Sequence, residues 1–201
     1  MHARKIHALV LSMLVLLILL SVQGAGATEI TSGGNDALLS CGCGGGGGGG
    51  GGGSGGILTQ AEIDGLNYMR EEEKLARDAY LTLYAKWGLP IFSNIASSEV
   101  RHMSKVKDLL DRYGLPDPAA GNAIGEFTDP FLQQLYDDLM VQGSQSSIEA
   151  LKVGVAIEEV DIADLQRYLE TTNRTDITRV YTNLMNASYM HLSAFNSQLG
   201  Q

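Results

Sequence analysis

Glutamate and histidine side chains recur at helical spacing in four stretches of this 201-residue chain. Glu99 and His102 lie three residues apart, so they share one face of a helix. Glu73, Glu158 and His191 lie in three further stretches, each among apolar residues spaced as on a buried helix face. Carboxylate oxygens and imidazole nitrogens together suit iron, manganese or zinc. These residue types at this spacing therefore predict a metal site built from several helices.

Four long helices must position these side chains, and apolar periodicity predicts all four. We expect them at about residues 59–87, 91–113, 146–170 and 175–199. Thr59 and Glu62 form a capping box at the start of the first helix, and Gly88 with Pro90 ends it. The links are short between the first and second helices and between the third and fourth, so each pair is expected to form an antiparallel hairpin.

The connection between the two hairpins, about residues 114–145, is long and carries a short helix of its own. That helix begins near Thr128, where Asp129 offers a cap and Pro130 occupies the first turn. A connection of this length can cross a bundle from end to end, whereas an up-and-down bundle needs a short loop here. The sequence therefore predicts an all-α fold, a ferritin-like four-helix bundle of two hairpins joined by a crossover.

Helical-wheel positions place acids and an imidazole on the inward faces of the first two helices. Glu73 falls within the apolar face of the first helix, whereas Glu71 and Glu72 fall outside it. Glu99 and His102 lie inside the apolar stripe of the second helix. At about 1.5 Å of rise per residue, Glu73 lies within about two turns of the level of this pair.

The third and fourth helices repeat this arrangement. Glu158 lies near the centre of the apolar face of the third helix, Glu159 near one edge and Asp161 farther round. The fourth helix carries His191 and Ser188 on its apolar face. Because Glu158 and His191 also agree in depth, we expect the four helices to bring their candidate ligands to one layer of the core.

The energetics of burial favour a metal in that layer. An ionised carboxylate inside a protein is costly unless it is paired, and this layer has three carboxylates and no inward lysine. Two metal ions bridged by carboxylates would satisfy several acids at once. Two simpler interpretations stay open: Glu73 could pair with Arg77 on the surface, or Glu158 and Glu159 could form a solvated face if the helix phase shifts by one residue.

The N-terminal residues 1–27 have the pattern of a secretory signal peptide. Arg4 and Lys5 precede an apolar run, and Ala25-Gly26-Ala27 fits a cleavage site. We therefore expect an exported protein that is extracellular, periplasmic or at the cell surface. If the signal stays uncleaved, it would serve as a membrane anchor.

Residues 28–56 are rich in glycine and predict a disordered tether ahead of the helical domain at 57–201. Cys41 and Cys43 lie in the tether, where exported thiols could pair with a partner, pair with each other or bind metal. The tether could attach the domain to the cell envelope. The net charge of −9 and the lack of clustered Lys and Arg argue against nucleic acid as a partner, whereas an acidic surface suits metal cations.

Two motifs resemble the ferritin-like di-iron carboxylate superfamily of the rubrerythrin and erythrin kind. The segment "EKLARDAY", residues 73–80, resembles the first-helix segment of that superfamily, and "EVRH", residues 99–102, matches its Glu-x-x-His motif. Three stretches, "YMREEEKLARD", "WGLPIFSNIASSE" and "AIEEVDIADL", more closely resemble an uncharacterised prokaryotic ferritin-like family recorded only as a domain of unknown function. This closer resemblance covers nearly the whole helical domain and carries no assigned activity.

The resemblance implies a di-iron ligand set drawn from all four helices: Glu73, Glu99, His102, Glu158 or Glu159, and His191. Glu73 would be a terminal ligand to one iron, Glu99 would bridge the two irons, and His102 would bind one of them.

The fourth helix departs from the superfamily pattern, which expects a second Glu-x-x-His there. Ser188 takes the acid position, in "SYMH". Either Glu158, Glu159 and Asp161 together supply the missing carboxylate, or the site is asymmetric and binds one metal weakly. Asp161 or Asp164 could alternatively orient a histidine through its other ring nitrogen.

The activity implied by the resemblance is redox: oxidation of Fe(II) by oxygen or peroxide, or reduction of peroxide, at two iron ions, with manganese or zinc as alternative metals. Tyr80 and Tyr84 could donate electrons near the site or could simply pack in the core. The rival interpretation is a non-catalytic metal-binding or structural envelope protein. The sequence leaves open the electron donor and whether the chain forms a homodimer or a cage.

Overall fold

The computed structural model describes residues 57–200, and this part of the chain contains five α-helices and no strand. The helices are α1 (Gln60–Trp87), α2 (Pro90–Tyr113), α3 (Pro130–Gly143), α4 (Ser147–Leu169) and α5 (Thr175–Leu199). The all-α prediction is confirmed, and the four predicted long helices agree closely with α1, α2, α4 and α5. The short helix expected in the long connection is α3.

The predictions for the N-terminal region, a signal peptide at 1–27 and a tether at 28–56 with Cys41 and Cys43, lie outside the described residues. Within residues 57–200, no helix combines the length and the apolar character needed to cross a bilayer.

The ends of α1 are fixed by its sequence. At the start, the Thr59 backbone N–H donates to Glu62 Oε2 at 2.8 Å and the Glu62 backbone N–H donates to Thr59 Oγ1 at 3.2 Å, which is the predicted capping box. At the other end Gly88 adopts a φ of +66°, a left-handed conformation that glycine reaches without steric cost. Pro90 then begins α2, so the hairpin link is only two residues, Gly88 and Leu89.

The long helices pack as two hairpins, α1 along α2 and α4 along α5. Because α1 also packs against α4 and α2 against α5, these four helices form a bundle. The short helix α3 packs against α1 and α4. Helix α1 therefore has neighbours on three sides, so charged residues on more than one of its faces are buried.

Two apolar regions of the core lie on either side of the layer that holds the candidate ligands. One is an apolar cluster that includes Leu66, Met69, Val106, Leu109, Leu165, Tyr181 and Leu184. The other is an aromatic group in which the rings of Tyr80, Phe92 and Phe195 lie within 6.2 Å of one another, centroid to centroid. Gly154 of α4 packs so closely on the Phe195 ring that no Cβ would fit. The polar layer is thus enclosed by well-packed apolar side chains.

The segment Glu71–Lys74 is buried throughout, although the sequence placed Glu71 and Glu72 outside the inward face of α1. Each residue turns the helix by about 100°, so the three acids point in three directions. Glu71 accepts hydrogen bonds from the backbone N–H groups of Thr128 (2.6 Å) and Asp129 (2.9 Å) and so holds the crossover at the start of α3. The two acids outside the inward face are buried because the crossover and α4 cover those sides of α1.

The surface pair between Glu73 and Arg77 that the sequence left open does not form. The Arg77 guanidinium instead donates to Asp78, which is fully buried. Asp78 also forms an ion pair with Lys74, and the Lys74 ammonium donates to the carbonyl oxygens of Ala123 (2.7 Å) and Glu126 (2.9 Å) in the crossover.

Candidate metal centre

Glu99 lies between the two histidines of the polar layer. Its Oε2 is 2.7 Å from His102 Nδ1 on the same helix, and its Oε1 is 2.9 Å from His191 Nδ1 on α5. The two imidazole rings stack with their centroids 5.6 Å apart. One carboxylate therefore contacts both imidazoles, one through each oxygen.

Each of the two histidines also contacts a second carboxylate. Glu73 Oε2 of α1 is 3.2 Å from His102 Nδ1, and Glu158 Oε2 of α4 is 3.4 Å from His191 Nδ1. The result is two groups of three buried residues, Glu73–Glu99–His102 and Glu99–Glu158–His191, in which one ligand atom from each member lies within 4.8 Å of the others. The two groups share Glu99, and together they draw on all four helices of the bundle.

Several polar atoms of this layer lack a hydrogen-bond partner within the described chain: Glu73 Oε1, Glu99 Oε1, His191 Nδ1 and Asp161 Oδ1. Glu99 Oε1 and His191 Nδ1 are only 2.9 Å apart, yet they are not aligned for a hydrogen bond. Buried polar atoms normally have partners, and leaving one unpaired is costly. Carboxylate oxygens and imidazole nitrogens left unpaired and close together fit a metal ion as their missing partner.

The charges at the centre of the layer are set by mutual contact. Burial acts to raise the pKa of Glu99, but the contacts with His102 and His191 lower it to about 2. Burial acts to lower the pKa of His191, while Glu158 and Glu99 raise it to about 9. Glu99 raises the pKa of His102 in the same way, against the effect of burial. In metal-free protein, therefore, Glu99 is ionised between two imidazoles that favour their charged form.

The acids around Glu99 have raised pKa values, in contrast to that of Glu99. Burial raises the pKa of Glu158 to about 7, even though His191 acts to lower it. Burial and the Glu158 carboxylate raise the pKa of Asp161 to about 8. Burial, followed by the charges of Asp161 and Glu99, raises the pKa of Glu73 well above its ordinary value. Burial thus favours the protonated forms of these acids in the absence of a cation, and a metal ion binding here would displace their protons.

Ser188 and Tyr80 orient two of these acids. The Tyr80 hydroxyl donates to Glu158 Oε1 at 2.6 Å. The Ser188 hydroxyl hydrogen-bonds Asp161 Oδ2 and lies 2.9 Å from the carbonyl oxygen of Leu184. Ser188, which stands at the acid position of the expected second Glu-x-x-His, thus contacts a carboxylate from the neighbouring helix. Asp161 comes to the layer because it lies one turn after Glu158 on α4.

Two of the other candidate residues lie away from the two groups. Glu159 is exposed on α4, although it is adjacent to Glu158 in the chain. Asp164 lies toward the surface, where its Oδ1 accepts from Arg167 at 2.8 Å. Sequence reasoning missed Glu72, which is buried on the α4 side of α1. Its position in an acidic run inside a long helix was the available signal, but the sequence alone did not show that α4 covers that side.

The helical domain is similar in sequence to a protein family and to a protein from another organism. Residues 62–201 match a family described as an uncharacterised protein domain, DUF2202. The uncharacterised protein MJ0754 of Methanocaldococcus jannaschii is 51% identical over 138 residues, which is 69% of this chain and 75% of that protein.

Two solved structures are similar in fold to this chain. A crystal structure of MJ0754 superposes with a TM-score of 0.70 and 50% identity, covering 71% of this chain and 82% of that one. A DUF305 fragment from Deinococcus radiodurans superposes with a TM-score of 0.52 at 15% identity, covering 71% of this chain and 97% of the fragment. The second likeness concerns the fold alone.

Proposed function

The chain belongs to the DUF2202 family, and we propose that its helical domain is a ferritin-like bundle that binds two metal ions, iron in the first place, for redox chemistry. The observation that carries the proposal is the pair of ligand groups that share Glu99. A carboxylate whose two oxygens face different imidazoles is suited to bridge two cations, each completed by one acid and one histidine.

The arrangement of the helices supports the ferritin-like part of the proposal. Two hairpins are joined by a long connection, and each of the four long helices contributes at least one inward-facing candidate ligand, as in ferritin-like di-iron carboxylate proteins. The resemblance of "EKLARDAY" and "EVRH" to that superfamily points the same way.

The donor set indicates which metals suit the site. It is rich in carboxylates and has two imidazoles, a combination that suits iron, with manganese and zinc as alternatives. Bound iron would supply one-electron chemistry, so that two Fe(II) ions together could give the two electrons that convert hydrogen peroxide and two protons to two water molecules.

The residues have distinct roles in this proposal. Glu99 bridges, Glu73 and His102 hold one ion, and Glu158 and His191 hold the other. Tyr80 fixes the orientation of Glu158 through its 2.6 Å hydrogen bond.

The residues around the ligands complete the site. Asp161, oriented by Ser188, adds a carboxylate beside the Glu73 group. The aromatic layer of Phe92 and Phe195 packs against Tyr80 and keeps water away from one side of the site.

Metal analysis followed by anaerobic Fe(II) titration tests the proposal. We expect about two Fe(II) per chain, from the two ligand groups, and an increase in the near-ultraviolet absorption of protein-bound Fe(III) when peroxide is added. His102→Ala and His191→Ala should each weaken binding and suppress the absorption change, because each removes a ligand from a different group. Glu159→Ala is the matched control, since it removes an exposed acid adjacent to a ligand.

The outcomes separate the proposal from its rival. Protein that binds no iron would contradict the metal centre. Protein that binds zinc tightly and oxidises no iron would contradict the redox role and favour a non-catalytic metal-binding protein.

A further inference from the structure

Glu72 is a buried acid that the proposed metal centre does not use. Its side chain lies between α1 and α4 and the residue is 4% exposed. No N–H or hydroxyl group within residues 57–200 donates a hydrogen bond to its carboxylate oxygens, and the Asp164 carboxyl group lies within hydrogen-bond reach of them. On α4, Asp161 and Asp164 lie one turn apart and both interact with the Glu72 carboxylate.

The charges around Glu72 are unbalanced. Three carboxylates face this seam between α1 and α4, and Arg167 supplies a positive charge on the outer side, where it bonds Asp164 at 2.8 Å. Burial raises the pKa of Glu72 well above its ordinary value, and the charges of Asp164 and Asp161 raise it further. An ionised and unpaired carboxylate in such a place is unfavourable in free energy, so a bound cation or proton would stabilise it.

The three acids differ in their exposure and in the residues with which they interact. The Asp164 side chain is 14% exposed, so it reaches solvent. Glu72 is buried behind it and interacts with both aspartates and with Glu73. Asp161 is the innermost, because it bonds Ser188 and interacts with Glu158, Glu99 and His102 of the centre. One oxygen of Asp161 is also unpaired in the described chain.

We propose that Asp164, Glu72 and Asp161 form the path by which a divalent cation passes along the α1–α4 seam into the metal centre. This inference rests on the proposed metal centre. Acids in a narrow, partly buried seam can exchange their protons for an arriving cation, and so they offer it oxygen ligands along the way. Each acid can replace part of the hydration shell of the cation, so that the cation is not stripped of water in one step. The unpaired oxygens of Glu72 are its transient ligands midway.

Metal uptake kinetics test this path. Full-length protein freed of metal is mixed in a stopped-flow instrument with Co²⁺ and a dye that reports free Co²⁺, and calorimetry gives the final stoichiometry. Glu72→Gln keeps the shape of the side chain but cannot release a proton to take up the cation. We expect it to slow uptake by about 10-fold or more while the final number of bound ions is unchanged. Asp164→Asn provides an independent second variant at the surface end of the path and should also slow uptake.

The control is Glu159→Gln, which makes the same substitution at an exposed position on α4 between Glu158 and Asp161 in the chain. It should leave uptake near the wild-type rate. If Glu72→Gln and Asp164→Asn take up Co²⁺ as fast as Glu159→Gln, the path is refuted, and the Glu72 carboxylate simply holds a proton. If Glu72→Gln binds fewer ions at equilibrium, Glu72 is a resident ligand and the path is again refuted. Wild-type protein that binds no Co²⁺ would count against the metal centre itself.

Discussion

Helix α1 carries two buried charged regions, and they differ in how their charges are satisfied. On the side of the crossover, Lys74 and Asp78 form an ion pair, Arg77 adds a second cation, and the backbone of Ala123 and Gly125 completes the hydrogen bonds. On the side of the bundle core, Glu73 and its neighbours keep oxygens without partners in the described chain. The charges of the first region are satisfied within the protein, whereas those of the second would be satisfied by the metal ions that we propose.

A substitution at Lys74 tests the region whose charges are satisfied within the protein. Lys74→Met should destabilise the protein by about 3–5 kcal/mol, because it removes one partner of a buried ion pair and leaves Asp78 poorly compensated. Urea denaturation with and without Mn²⁺ should give the same loss in both conditions, since Lys74 has no part in the metal centre. Lys152→Met is the control, because Lys152 pairs with Glu149 on the surface and such pairs contribute about 0–1 kcal/mol. Equal losses for the two variants would contradict the structural role of Lys74.

The next effect concerns the region around Glu73. Metal at about 100 times its dissociation constant should stabilise the protein by about 2.7 kcal/mol, because it binds the folded state alone. Glu99→Ala should abolish most of this gain, since both ligand groups lose the carboxylate that they share. Thermal denaturation of metal-free and metal-loaded protein measures the difference. If wild-type protein melts at the same temperature in both states, the unpaired oxygens are not metal ligands.

The third effect is spread over several pH units and depends on the protonation of the buried acids. Burial raises the pKa of Asp161 from 3.8 to about 8 and that of Glu158 from 4.5 to about 7, so the folded state holds protons that the unfolded state releases. Metal-free protein should therefore lose stability as pH rises from about 4.5 to 8, at up to about 1.4 kcal/mol per pH unit for each proton. Urea midpoints measured in the presence of a chelator give the slope.

Asp161→Asn supplies the control for this slope, because the amide is uncharged at every pH and has nearly the same shape. It should flatten the pH dependence of the metal-free protein. A midpoint for wild-type protein that rises with pH over this range would contradict the protonated state of these acids.

Much of the fold follows from local sequence. Thr59 with Glu62 and the glycines after α1 and α2 fix the ends of the helices through capping that depends on neighbouring residues alone. The apolar periodicity sets the phase of each long helix. That phase brings Glu73, Glu99 and the others to one layer, because side chains one turn apart share a face.

The rest of the site depends on contacts that local sequence does not specify. A helical wheel assumes one buried face, whereas α1 is covered by α2, by α4 and by the crossover with α3. For this reason the burial of Glu71, Glu72 and Lys74 could not be read from periodicity. The bond between Ser188 and Asp161 joins residues of different helices and depends on how α4 and α5 are rotated against each other.

The run Glu71-Glu72-Glu73 has a consequence for how sequences of this kind are compared. The three residues are identical, so an alignment that is shifted by one position still matches two of them. In the folded protein Glu71 accepts a hydrogen bond from the backbone N–H of Thr128, Glu72 faces the seam with α4, and Glu73 faces His102. If one of these glutamates is replaced, an adjacent glutamate cannot take over its contacts, because its side chain points about 100° away around the helix. Mutational scans should therefore assign three separate phenotypes to a run that a substitution table would score as interchangeable.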